Sequence, residues 1–308
     1  MKRKSIILAI LVVALAVFGV ACGNKNDAPA KEETKTETKE EKKTEEPQGM
    51  TGEIHVVSRE DGSGTRGAFT EITGVLQKEN GEEVDKTFDE AIVQNSTNAV
   101  ITTVSGDEAS IGYISLGSLS DVVKAVKVDG HEATAEKVKS GEYAVARPFN
   151  IAYREDKITD LGKDFLAFIM SEEGQKIAED HGYVSNGNNG AYTPSNMEGS
   201  LTIGGSTSVT PLMENLVDAY KAHNPGFKAD IQATGSSAGM TAAMEGAVEI
   251  GMASRELKDK EKEALTSEVI AMDGIAVIVN NENSIEDISM DNIRQIFTGE
   301  LRNWEEVK

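Results

Sequence analysis

Three short turns in this chain combine glycine with hydroxyl side chains, and each falls where a helix is expected to begin. They are Ser58-Arg59-Glu60-Asp61-Gly62-Ser63-Gly64-Thr65-Arg66, Gly204-Gly205-Ser206-Thr207-Ser208-Val209-Thr210-Pro211 and Thr234-Gly235-Ser236-Ser237-Ala238-Gly239. A helix N-terminus leaves backbone N–H groups unpaired and carries partial positive charge, so it suits an anion. Glycine lets the backbone approach a ligand closely, and Ser and Thr hydroxyls can turn a donor toward an oxyanion oxygen. One such turn is ordinarily a helix cap and nothing more. Three in one chain, the first carrying Arg59, point to an oxyanion site, because a guanidinium can grip an oxyanion through two parallel hydrogen bonds. Asp61 is placed to orient that guanidinium. The alternative for the two residues is a plain surface ion pair, worth about 0–1 kcal/mol.

The elements that must hold these turns follow from hydrophobic patterning. Strands are expected at Ile54–Ser58, Ala109–Ser115, Leu201–Gly204, Ala229–Ala233 and Ile250–Ala253, with a strand pair or one bent strand at Val269–Asn280. Helices are expected at Thr65–Gln77, Ser96–Val104, Asp160–His181 (with a break at Ser171–Gly174), Pro211–His223, Ser237–Val248 and Met290–Phe297. In the Pro211 helix, Leu212, Leu216, Val217 and Tyr220 share one face. Pro211 sits in the first turn, where its missing N–H costs least. The alternation predicts α/β layers with largely parallel strands. The turn-rich stretch Asn186–Asn196 divides the chain beyond its leader into two parts of similar length.

Other chemistry is not visible. No Walker lysine follows a Gly-x-x-x-x-Gly run, no dinucleotide fingerprint follows a strand, and Ser63 does not sit in a G-x-S-x-G elbow. The histidines (His55, His131, His181, His223) lack metal-ligand spacing, and His181 and His223 read as helix-end or surface residues. No catalytic residue, metal or cofactor is therefore proposed. Phe297 and Trp304 read as packing residues. The chain has 52 acidic and 31 basic side chains, a net charge of −21 and one cysteine in 308 residues. That balance excludes a disulfide scaffold, a multi-thiolate zinc site and the basic face that nucleic acid requires.

The first segment reads as an address. Lys2, Arg3 and Lys4 precede the apolar run Ile6–Val20, shorter than the roughly 20 residues of a spanning helix. Gly19-Val20-Ala21-Cys22 resembles a bacterial lipoprotein signal, with Cys22 the lipidated first mature residue, although Gly19 stands where leucine is usual. The segment to residue 50 is Lys-, Glu- and Thr-rich, a disordered charged tether. The leader contributes +3 and the tether about −2, so about −22 belongs to the part beyond Gly49.

With these features in view, the sequence resembles the substrate-binding lipoprotein of the phosphate ABC transporter in its Gram-positive form. The resemblance rests on SREDGSGTRGAF (58–69), GSTSVTPLMENL (205–216), ATGSSAGMTAAMEG (233–246), EIGMASREL (249–257) and IRQIFTGELRNWEEV (293–307), and covers Thr51–Lys308. The block order is not the family's usual one, in which the GSTS block opens the protein and the NWEEV block runs into SREDGSGT. It reads as a circular permutation, with a fragment beginning and ending mid-domain as the alternative. The old junction would lie between Lys308 and about Gly52.

The resemblance implies an α/β, two-lobed periplasmic-binding-protein-like fold of type II, circularly permuted, with a cleft between lobes. It assigns 1–22 to the signal, 23–50 to the tether, 52–148 plus 280–308 to the first lobe and 149–279 to the second. It implies that Arg59, Ser63, Gly64 and Thr65 hold inorganic phosphate from one lobe. Thr207, Ser208 and Ser236 hold it from the other, with Asp61 orienting Arg59. Ser254 stands where the best-known family members carry an acid that accepts the ligand's proton, which puts the rejection of sulfate in question. The implied protein is a monomeric receptor, lipid-anchored outside the membrane, that delivers phosphate to an ABC permease. The rival readings are a receptor for another oxyanion (sulfate or molybdate), an enzyme acting on phosphoryl groups, and a sensor or adhesion lipoprotein with a degenerate cleft.

Overall fold

The computed structural model describes residues 49–307; the signal, Cys22, the tether through Gln48 and Lys308 lie outside the described residues. Strand β1 (His55–Arg59) leads through the first glycine turn into α1 (Gly64–Thr73). That helix, expected to reach Gln77, stops four residues earlier, where Gly74 caps it in the left-handed region and donates to the Glu71 carbonyl. A hairpin follows, β2 (Leu76–Glu79) and β3 (Glu82–Asp85), turning at Asn80-Gly81. Next come β4 (Ile92–Gln94), α2 (Thr97–Ser105), β5 (Ser110–Ser115), β6 (Lys124–Ala125), β7 (Lys127–Val128), α3 (Ala135–Ser140) and β8 (Ala146–Tyr153).

The helical stretch after β8 is broken as expected, into α4 (Asp160–Ile169) and α5 (Glu172–Asp180). Ser171 caps the second piece by accepting from Gly174 N. Then follow β9 (Val184–Ser185), β10 (Gly199–Gly205), α6 (Thr210–His223), β11 (Phe227–Ala233), α7 (Ser236–Glu245), β12 (Ile250–Ala253) and α8 (Asp259–Ala264). Strand β13 (Thr266–Val279), β14 (Asp287–Ile288) and α9 (Met290–Phe297) complete the fold. Val269–Asn280 is thus the greater part of one long strand, irregular between Val269 and Ala271, and not a pair. No described helix is long and apolar enough to cross a membrane.

The strands are ordered β11-β10-β12-β8-β13-β5-β1-β4. Expectation and structure differ here. β11, β10 and β12 are parallel, as are β5, β1 and β4, but the central pairings β12–β8, β8–β13 and β13–β5 are antiparallel. The reason is connectivity, because β8 and β13 carry the chain across between two parallel βα groups.

Each group has its own core, which gives the fold its two lobes. One core includes Val56, Phe69, Tyr113, Val145, Ile275, Val277 and Phe297. The other includes Phe149, Phe165, Ile203, Leu212, Tyr220 and Ala271. Ile275, Val277 and Val279 pack with the first group, although the second lobe was expected to run through residue 279. In the first group the two ends of the described chain meet. Ile54 N donates to Arg302 O at 2.7 Å, Trp304 N to Gly52 O at 2.9 Å, and the buried Trp304 indole to Ala109 O at 3.0 Å.

Candidate functional site

Parallel βα units leave their loops at the C-terminal ends of the strands, and the three glycine turns follow β1, β10 and β11 in that position. The antiparallel centre of the sheet turns the two sets toward one another. Arg59, the last residue of β1, is 2% exposed, and its Nη2 reaches Thr207 Oγ1 across the cleft at 3.1 Å. Thr65 Oγ1 lies 2.8 Å from Ser208 Oγ, and Ser237 N donates to Gly62 O at 3.1 Å. Gly64 is packed so tightly against Ser236 and Ser254 that a Cβ on it would overlap both hydroxyls. The lobes are therefore shut upon each other, and glycine at 64 is what lets them meet.

Every candidate donor lies in this one region. Ser63 caps α1 by accepting from Arg66 N, with its own N–H bonded to Glu60 O. Ser254 is fully buried; it accepts from Ser206 Oγ at 2.8 Å, and its N–H donates to Ser236 Oγ at 3.2 Å. The hydroxyls satisfy one another in this arrangement, as buried polar groups must. A hollow of about 680 Å³ lined by Asp85, Phe88, Glu300 and Arg302 lies elsewhere and includes none of these turn residues.

Asp61 is a correction. Its side chain is 96% exposed and pairs with Arg66 Nη1 at 3.1 Å. The neighbour Glu60 forks Arg59, with Nε–Oε2 at 2.8 Å and Nη2–Oε1 at 2.9 Å, and Gln94 O also accepts from Nε. Because Arg59 ends a strand and its side chain turns into the cleft, the adjacent residue at the start of the turn reaches its fork. The residue two positions on is carried out to solvent by the turn.

Five further residues escaped sequence reasoning. Thr97 opens α2, and its Oγ1 lies 3.2 Å from Ser208 Oγ and 3.4 Å from Thr207 Oγ1, so a fourth helix N-terminus faces the cleft. The signal was present, since Ser96-Thr97 precedes an apolar helical run, but no glycine marks it. Ser206 bonds Ser254 and caps Ser208 N. Arg66 donates to Arg59 O at 2.9 Å and to Asp85 Oδ2 at 2.8 Å, bracing the first turn against the hairpin. Burial raises the Asp85 carboxyl, but hydrogen bonds from Thr87 and Arg66 outweigh it and leave it below its ordinary value. Arg255, beside Ser254, is not free to face an anion. Its guanidinium is held at 2.8 and 2.9 Å by the buried Glu261, which is lowered on balance by those bonds despite its burial. The phenol of Tyr113 is raised by burial; it sits under β1, near Ser58 Oγ at 2.9 Å and accepting from Arg59 N.

The model of the PBP superfamily domain matches residues 25–173 and 190–308. Phosphate-binding protein PstS 2 of Streptococcus pneumoniae TIGR4 is 44% identical over 310 residues, covering 100% of both chains. Its namesake in Streptococcus agalactiae is 41% identical over 309 residues, covering 100% of this chain and 99% of that one. A crystal structure of a phosphate ABC transporter phosphate-binding protein from Streptococcus pneumoniae TIGR4 superposes with a TM-score of 0.67 at 47% identity. It covers 83% of this chain and 100% of that one. Since the sequence alignments run end to end, these relatives share the block order seen here.

Proposed function

The chain belongs to the PBP superfamily, and from that premise we propose that it captures inorganic phosphate between its two lobes and delivers it to an ABC importer. The observation that carries this reading is the set of contacts across the cleft. Arg59 meets Thr207, and Thr65 meets Ser208, so donors from both lobes converge on one small volume. A receptor closes when its ligand bonds both halves, and an anion held by four helix N-termini, hydroxyls and one arginine does so. Arg59, Ser63, Gly64 and Thr65 supply one half of the site, and Thr207, Ser208, Ser236 and Ser254 the other. Thr97 and Ser206 join them, and Glu60 holds Arg59 in place. The names of the end-to-end relatives support phosphate as the anion.

On this reading the protein is a receptor and not an enzyme, acts as a monomer on the outer face of the membrane, and is anchored through Cys22. Ion chromatography of the anion released when the purified protein is denatured tests the ligand, with phosphate expected in about equimolar amount. A chromogenic phosphoester should be left unhydrolysed. A receptor for sulfate or molybdate is the second reading, and it draws on Ser254. A hydroxyl there repels a fully ionised oxyanion less than a carboxylate would. Released sulfate or molybdate in place of phosphate, or radiolabelled sulfate that excess phosphate fails to displace, would favour that second reading.

A further inference from the structure

Between the two cores, β8 and β13 pair with Arg147 opposite Asp273. On one side of this point Phe149 and Ala271 belong to the second core; on the other, Val145 and Ile275 belong to the first. Arg147 is 2% exposed and Asp273 is 0% exposed, although both stand where the chain crosses between lobes. Asp273 accepts from Arg147 Nη2 at 3.0 Å on one oxygen and from Ser115 Oγ at 2.9 Å on the other.

The pair is incompletely satisfied. Among the described residues, Arg147 Nε and Nη1 have no hydrogen-bond partner, nor does the hydroxyl of Ser118. Tyr183 comes from the second core and presses so closely on Gly117 that a methyl group on residue 117 would overlap its ring. Ser115 of the first lobe thus bonds Asp273, Gly117 meets Tyr183 of the second, and the Arg147 guanidinium carbon lies 5.5 Å from the Phe149 ring centre. Burial opposes the charge on Arg147, Asp273 favours it, and the like charge of Arg59 opposes it again.

A guanidinium removed from water with two nitrogens unpaired disfavours the arrangement that removes it. Parting the lobes at the crossing would separate Tyr183 from Gly117 and give those nitrogens access to solvent. An anion beside Arg59 acts the other way, because its negative charge is felt strongly through a poorly polarisable interior. We propose that Arg147, paired with Asp273 at the crossing, is a hinge residue that makes closure conditional on an anion in the cleft. Empty, the closed form carries an undercompensated buried cation; occupied, it does not. The inference takes the identity of the anion from the phosphate reading, but its geometry is independent of it.

Hydrogen–deuterium exchange on the full chain tests this without labels. In phosphate-free buffer the wild type should exchange readily at Gly62–Gly67 and Ser236–Met240, and inorganic phosphate should slow both at least tenfold. In the double variant R147M/D273N, which removes the buried charges together, both segments should already be protected without phosphate. Adding phosphate should then change them less than threefold, whereas R147K, which keeps the charge, should resemble the wild type. A folded double variant with the wild-type phosphate response would overturn the proposal. Should that variant fail to fold, the wild type decides. The amides of Gly117 and Arg147 must slow over the same phosphate range as the cleft, and hinge amides indifferent to phosphate would contradict the hinge role. If phosphate protects nothing in the wild type while R147M/D273N is protected without it, the hinge stands and the phosphate reading falls.

Discussion

Arg59 shows how one side chain is prepared for an anion. It is buried at a strand end and forked by Glu60, and its Nη2 meets the opposite lobe at Thr207. Truncating a buried charged hydrogen-bonding partner typically costs about 2–5 kcal/mol, or roughly 30- to several-thousand-fold in affinity. Glu60→Gln should weaken phosphate binding about tenfold by loosening the fork, whereas Asp61→Asn should leave it within about twofold. Calorimetric titration of both variants checks the reassignment, and the reverse ranking would restore Asp61. At Ser254 the chemistry concerns selectivity. A carboxylate there would face Ser206 and Ser236 and repel sulfate, which carries no proton at neutral pH. Ser254→Asp should raise the phosphate-to-sulfate affinity ratio about tenfold in competition titrations, and an unchanged ratio would remove Ser254 from selectivity. Most of the residues that meet in the candidate site were legible at this scale, because a Gly-Ser turn before a helix advertises its donors. What stayed hidden was pairing. Sequence spacing favoured Asp61 over Glu60, and only the turn's path shows which carboxylate is carried away from Arg59.

Among the elements, helix starts were easier to read than strand directions. Ser96, Ser171 and the glycine turns mark α2, α5, α1 and α7, since the cap residue declares itself locally. The β2–β3 hairpin was missed because Val75 and Leu76 continue the apolar pattern of α1 past Gly74. β8 was missed, and the antiparallel course of β8 and β13 was not legible, because strands buried on both faces carry no direction in their residues and their pairing is set by the crossing between lobes. Gly64, at the start of α1, makes an element-scale prediction. Gly64→Ala preserves the helix but puts a methyl group into Ser236 and Ser254. Phosphate affinity should fall at least about a hundredfold while the unfolding midpoint in urea shifts little, because the overlap exists only when the lobes are shut. An affinity within threefold of wild type would mean that the lobes need not meet there.

Over the whole molecule, charge and chain order are the features left to explain. The part beyond Gly49 holds about −22 and yet is read as binding an anion. Its long-range field is screened beyond about 10 Å at 0.1 M salt, so affinity must arise from the local donors just described. The pairing of Gly52–Ile54 with Arg302–Trp304 supports reading the block order as a circular permutation. Joining Lys308 to Gly49 by a short linker and reopening the chain within Asn186–Asn196 should then give a folded protein with phosphate affinity within threefold of wild type. Loss of binding in a folded permutant would count against that reading.

Stability should also depend on pH through the hinge. Burial pushes the Asp273 carboxyl up to about 6 against the counteracting Arg147, Ser115 and Gly117, with Tyr143 and Tyr183 as its other titratable neighbours. A carboxyl raised on folding binds its proton more tightly in the native state, so its contribution is greatest near pH 4 and declines as pH rises through 6. Asp273→Asn should flatten urea stability between pH 4.5 and 7 relative to wild type. An unaltered pH profile would show that Asp273 titrates as it does in the unfolded chain.

The claim that both lobes close on inorganic phosphate through Arg59 is tested most directly by calorimetric titration of the wild-type chain and Arg59→Ala with phosphate. One phosphate per chain, bound by the wild type and weakened at least about thirtyfold in Arg59→Ala, is the expected result. No binding by the wild type, or equal affinity in the two proteins, would contradict it.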